Sequence, residues 1–213
     1  MFKIKYLYHF MILMMMAASA AWAQKDAALV TTVSGDASYQ AAGTPAARVQ
    51  SFMKLREGDR TEVKANAKLQ LVYLESGEVE QWEGPAGFTV GAQRTLVITA
   101  GTPVTRKLPA SMVERLARTP AVMSDIRNRS GMTVTRAVRP LSAKVATARE
   151  AHAQARQQLP PDDISPELDL LMVLYEERHF GEANEVLKDM QRRAPDDLGV
   201  RELAEKFRKL LRR

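Results

Sequence analysis

Between residues 30 and 102 the apolar positions come in runs of three to seven, separated by Ser34-Gly35-Asp36, Gly58-Asp59, Asn66, Ser76-Gly77, Gly84-Pro85-Ala86-Gly87 and Gly101. Runs that short, rich in Val, Leu, Tyr, Thr and Trp and closed by turn formers, predict strands. In KLQLVYL, Leu69, Leu71 and Tyr73 fall on one face and Val72 and Leu74 on the other, so this strand is expected to be covered on both sides near its end. Gly77 can supply the positive φ of a tight hairpin, which pairs this strand with the following EVEQW. Trp82 is expected in the core, and LVITAG reads as a buried closing strand. Glu75, Glu78, Glu80 and Glu83 read as a solvated acidic edge that discourages strand addition.

The pattern then changes. Residues 109–128 predict two short helices interrupted at Thr119-Pro120, and residues 143–159 a helix poor in large apolar side chains. Pro161-Asp162-Asp163 and Pro195-Asp196-Asp197 follow, 34 residues apart, with helix capping as the expected role of the aspartates. Between them Ser165 is placed to cap a helix that has Pro166 at its first position. That helix should carry an apolar stripe of Leu170, Leu171, Val173 and Leu174, and Phe180 should pack the turn. Ala183, Leu187 and Met190 should line the next helix, and a closing helix places Leu203, Phe207, Leu210 and Leu211 on one side.

Two resemblances attach to these patterns. Leu55, then Gly58-Asp59, Thr61, the alternating strand and the Gly77 turn, with Trp82 and Pro85, resemble the FecR domain of bacterial envelope proteins over about residues 30–103. The 34-residue period, with Ala183 twelve residues before Pro195, is similar to a tetratricopeptide repeat. Such repeats need about three units to stand alone. With one repeat visible, the helices must lean on the β domain, on one another or on a partner. The fold class expected is therefore α+β: an all-β FecR-like domain, as a sandwich or roll, followed by a small tetratricopeptide-like helical domain.

Charge and export signals refine this organisation. Lys3 and Lys5, an apolar run from Phe10 to Ala18 and the small residues Ala21 and Ala23 read as a signal peptide, residues 1–23, cut before Gln24. The remaining units are read as a β domain over 24–105, a basic connector with short helices over 106–141 and a helical domain over 142–213. Residues 106–156 hold eleven basic and three acidic side chains, whereas 24–101 hold eight and nine. Cysteine is absent, which excludes disulfides and metal–thiolate chemistry.

Candidate chemistry is sparse. His152 and His179 are expected at the surface with no nucleophile motif beside them, and no phosphate loop or calcium loop is present. Neither a cofactor nor a metal is expected, and catalytic residues are not assigned. Leu55, Gly58, Asp59, Thr61 and Gly77 are motif positions with structural roles. Partner-binding candidates are Arg127, Arg129, Arg136 and Arg139 of the connector, together with Leu171, Tyr175 and Asn184 in the groove of the repeat. The expected function is that of a non-enzymatic periplasmic interaction module for another envelope protein or an anionic envelope polymer. The second reading is a periplasmic sensory input to a separate membrane-bound signalling protein, and a hydrolase is a distant third. The short stretch before the apolar run leaves no room for the cytoplasmic module of iron-citrate-type regulators, and an exported chain is a poor partner for nucleic acid.

Overall fold

The computed structural model describes residues 25–97, 101–129 and 142–211, so the signal-peptide reading, Arg136 and Arg139 lie outside the described residues. The chain is α+β: two five-stranded antiparallel sheets come first and helices follow. The first sheet has the order β10 (Val104–Lys107), β7 (Glu78–Glu83), β6 (Lys68–Tyr73), β1 (Asp26–Ser34), β4 (Lys54–Arg56). In the second the order is β3 (Ala47–Arg48), β2 (Ala37–Gln40), β5 (Arg60–Val63), β8 (Ala86–Val90), β9 (Thr95–Val97).

The predicted breaks are the turns of the β unit: those near Gly35, Gly58, Asn66, Gly84 and Gly101 carry the chain from one sheet to the other, and the break at Gly77 joins two neighbours in the first sheet. Gly77, at φ +72°, closes the β6–β7 hairpin and sets Leu69 opposite Trp82 and Leu71 opposite Glu80. At Gly84, between β7 and β8, any Cβ would fall 1.8 Å from the carbonyl oxygen of Lys64, so only glycine fits this crossing.

Between the sheets lies a core that includes Val30, Leu55, Leu69, Leu71 and Tyr73 from the first and Val63, Phe88 and Val90 from the second. Trp82 is buried there, stacked on Phe88 at 4.4 Å. β6 is two-sided as its alternation predicts: Val72 faces the helices together with Leu29 of β1 and Val79 of β7, and Leu74 just past its end packs against the same helical core. Each such side chain removed from water stabilises the association by roughly 1.5–3 kcal/mol. The helices thus lean on the β unit.

Among the described residues six helices follow: α1 (Ala110–Leu116), α2 (Thr119–Arg129), α3 (Ala143–Gln158), α4 (Ser165–Glu176), α5 (Phe180–Arg193) and α6 (Leu198–Leu211). α4 is central, packed by α1, α3 and α5, while α6 packs on α5, α2 and β1. Ala183, Leu187 and Met190 are buried on α5, and Leu203, Phe207 and Leu210 on α6.

Several expectations are corrected. α4 carries no stripe: every residue from Ser165 to Tyr175 is buried, because neighbours cover it on all sides. Ser165 is not its cap; Ile164 holds that position, and the Asp163 carboxylate accepts the Ser165 backbone N–H at 2.8 Å. The break between α1 and α2 falls at Ala117 and Arg118, with Pro120 inside the first turn of α2, where its missing N–H costs no bond. Leu96 of the LVITAG run is 62% exposed, because β9 is an edge strand. The connector boundary at residue 106 lies inside β10, which pairs with β7.

Glu80 is the largest departure. It is buried between the sheets, not part of a solvated edge, and accepts hydrogen bonds from Trp82 Nε1 at 2.9 Å and from the Thr95 backbone and hydroxyl at 3.0 and 2.6 Å. Residues two apart on a strand share a face. The expectation that Trp82 is core therefore carried Glu80 inside with it.

Candidate interaction site

Where their side chains are described, the arginines of the basic connector are paired with carboxylates. Arg106 donates to Asp163 Oδ2 through Nε at 3.0 Å and Nη2 at 2.7 Å, and also to Gln70 Oε1 at 2.9 Å. Arg115 forms a two-pronged pair with Asp169 at 2.6 and 2.8 Å, and Arg118 pairs with Glu176 at 3.0 Å. The acidic partners sit on or just before α4, a helix that would otherwise bury uncompensated carboxylates. Burial pushes the Asp169 carboxyl above the usual range, against the opposing pull of Arg115. Arg106 and Arg115 form a seam inside the protein, whereas the Arg118–Glu176 pair is exposed at its outer margin.

A second part of the seam surrounds Glu167 of α4. Its Oε1 has His152 Nε2 at 3.1 Å, Arg156 Nε at 3.2 Å and Arg193 Nε at 3.1 Å. His179 Nδ1 lies 3.3 Å from Glu182 Oε1. Both histidines are largely covered, contrary to the expectation of surface positions, since α3 and the turn before α5 fold back onto carboxylates.

The motif residues take structural places. Leu55 is fully buried in β4, Gly58 has φ +90°, Asp59 accepts the Arg56 backbone N–H at 2.8 Å and Thr61 is buried in β5. The groove expected on the repeat is filled. Leu171 is fully buried, and Tyr175 packs against Phe180 and Phe207 while donating to Asp125 at 2.7 Å. A helix covered by three others has no groove to offer, so neither side chain faces a partner; Asn184 alone of the three is partly exposed. Arg127 and Arg129 are on α2, and their side chains lie outside what is described.

An opening is found elsewhere, between the 48–52 loop and α6. A cleft of about 440 Å³ is lined by Val49, Phe52, Met123 and Leu203, with Arg48, Arg201, Glu202 and Lys206 around it. Leu198, at its lip, is 57% exposed. The loop is fixed from below: the Phe52 N–H donates to Val30 O at 2.7 Å, and the Ser51 hydroxyl lies 2.8 and 2.6 Å from the two oxygens of Asp197. Asp197 also accepts from Val33 N at 2.9 Å and caps α6 through Val200 N at 3.0 Å. Burial pushes the Asp197 carboxyl up, although these donors hold it down.

Sequence reasoning missed this cleft, because its two walls, the 48–52 loop and α6, are far apart in the chain. A trace was present in α6, where Leu198 falls outside the face defined by Leu203, Phe207 and Leu210.

No protein-family model matches this chain, and no curated protein or solved structure matches it either. Among the described residues no group of His, Asp and Glu is placed to hold a metal ion, and no helix is long and apolar enough to cross a membrane.

Proposed function

We propose that this chain is a non-enzymatic, FecR-like interaction module of the periplasm whose helical part, tetratricopeptide-like in period, is fixed on the β domain and whose partner is another envelope protein. The FecR reading is supported by Leu55, Gly58, Asp59 and Thr61 lying together at the β4–β5 crossing, with Gly77 at the hairpin. The repeat reading is supported by Ala183, which is fully buried on α5 against α4. The export reading is supported by the sequence of residues 1–23.

One observation carries the choice of interaction surface. Arg201 and Lys206 at the cleft have no ion pair among the described residues, whereas Arg106, Arg115 and Arg118 are each paired with a carboxylate. This favours the cleft as the partner surface.

A photo-activated cross-linker at Arg201, with one at Arg60 on the second sheet as control, tests this in intact cells. The expected result is one adduct with an envelope protein from position 201 and none from position 60, on a chain that begins at Gln24. Equal adducts from both positions, or a chain retained in the cytosol, would remove the reading.

A further inference from the structure

We infer that the cleft between the 48–52 loop and α6 binds an extended peptide segment in which acidic residues alternate with large apolar ones. This deepens the interaction reading above and rests on it. The floor is apolar, formed by Val49, Phe52, Met123 and Leu203, and would take an aliphatic or aromatic side chain. The rim is where charge is unbalanced. Arg201 and Lys206 have no ion pair among the described residues, and Arg48 donates only to the Gly35 carbonyl at 3.3 Å. An acidic side chain brought to α6 meets these cations, and summed charge of one sign raises the local concentration of the opposite sign.

The length of the depression favours a chain over a compact molecule. A second hollow of about 240 Å³ shares Val33 and Asp196 with the first and continues past Thr32, Ser34 and Lys68. Its cations are already engaged: Lys68 pairs with Glu83, and Arg193 with Glu167 and Asp189. Acid recognition is thereby concentrated at Arg201 and Lys206, while the second hollow accepts the continuation of the segment. Glu202 and Asp196 at the margin would repel a ligand that is acidic throughout, which selects for spaced acids.

The cleft is also formed before any ligand arrives. Phe52 is held at φ +69°, a conformation a bulky residue rarely adopts, with its ring buried in the helical core. The Val49 N–H donates to Ala37 O at 2.8 Å. Strain retained in a fixed loop beside an opening is a mark of binding sites, and a preorganised wall lowers the ordering cost of association.

The test uses the full chain from Gln24 and a dye-labelled, acetylated peptide of about six residues, extended at ~3.3 Å per residue, with alternating aspartate and leucine. Fluorescence anisotropy should show saturable binding that weakens with salt. Affinity should fall by about tenfold or more in the Arg201→Glu, Lys206→Glu double variant, and several-fold in Leu198→Ser. Peptides with asparagine for aspartate, or serine for leucine, should bind the unaltered protein more weakly. They keep the test decisive even if a variant misfolds.

Equal binding of the asparagine peptide, no saturable binding of the aspartate peptide up to about millimolar concentration, or capture by phosphatidylglycerol vesicles in preference to the peptide would overturn the inference. Peptide failure with the position-201 adduct intact removes the ligand class alone. Loss of that adduct with peptide binding intact removes the envelope-protein reading alone.

Discussion

The two Pro-Asp-Asp corners occupy the same place before alternate helices, α4 and α6, yet they fasten the helical unit to the first sheet with different chemistry. In each, the second aspartate accepts an N–H from the first turn of a helix and reaches across to the sheet. Asp163, one residue before the Ile164 cap, accepts the first N–H of α4 from Ser165, takes Gln70 Nε2 at 2.9 Å and is neutralised by Arg106. Asp197 caps α6 through Val200 N and is met only by neutral donors, Ser51 Oγ and Val33 N. Helix capping needs an acceptor, which either arrangement supplies. Compensation of a buried charge needs a cation, which only the first has. The uncompensated corner adjoins the open cleft, and the compensated one lies in the covered seam.

The largest expected effect follows from that difference. Asp163→Ala strands the Ser165 N–H, leaves the Arg106 charge without its carboxylate and Gln70 Nε2 with only the Ser165 hydroxyl, all in a largely dry seam. Breaking a buried pair from one side costs about 3–5 kcal/mol, measured by chemical denaturation. A loss below about 1 kcal/mol, the ordinary worth of an exposed pair, would mean that Arg106 is hydrated and that the corners are alike.

Asp197→Ala should cost less, about 1–3 kcal/mol, since it strands the Val33 and Val200 N–H groups and the Ser51 hydroxyl but no charge. The same change should loosen the 48–52 loop and weaken binding in the cleft. Asp163→Ala, in a variant that remains folded, should leave that binding intact. If both substitutions lower binding equally, the corners do not act separately.

How much of this was legible depends on the range of the interaction. The two faces of β6 were readable because alternation is local: Val72 points away from Leu71 whatever the fold does. Aspartate capping was readable for the same reason. That the capping carboxylates also reach Arg106 and Ser51 was not, since the partners are 57 and 146 positions away. The charge count of the connector misled for Arg106, Arg115 and Arg118, because composition counts charges without their partners, and those partners lie on or just before α4. Leu171 and Tyr175 misled similarly: a groove was expected where α1 and the other helices complete the cover.

A third substitution asks whether the helix crossing contributes independently of the corners. Ala183 is fully buried on α5 where it meets α4. Ala183→Leu should overpack the crossing and cost about 1–3 kcal/mol, additively with Asp197→Ala because the sites share no partner. Strong coupling between the two in thermal unfolding would show that the corner and the crossing are one unit.

The smallest effect is a pH dependence, and it isolates the chemistry that separates the corners. Burial raises the Asp197 carboxyl in the folded state, so the native protein holds that proton more tightly than the unfolded chain does. Its contribution to stability is therefore fully present below the unfolded value, about 3.9, and is lost as pH rises through the raised folded value. Asp197→Asn keeps an acceptor but does not titrate. The stability difference between the two proteins should shift in favour of the asparagine variant as pH rises from about 4, with a slope no steeper than ~1.4 kcal/mol per pH unit for a single proton. Glu182 and Asp189 are shifted the opposite way, Glu182 chiefly by its hydrogen bond to Arg149 and Asp189 by Arg192 and Arg193 against its burial, and they cancel because both proteins contain them. A difference that stays flat with pH, or that moves in favour of aspartate, would mean that the Ser51 and backbone donors compensate the charge as fully as a cation does.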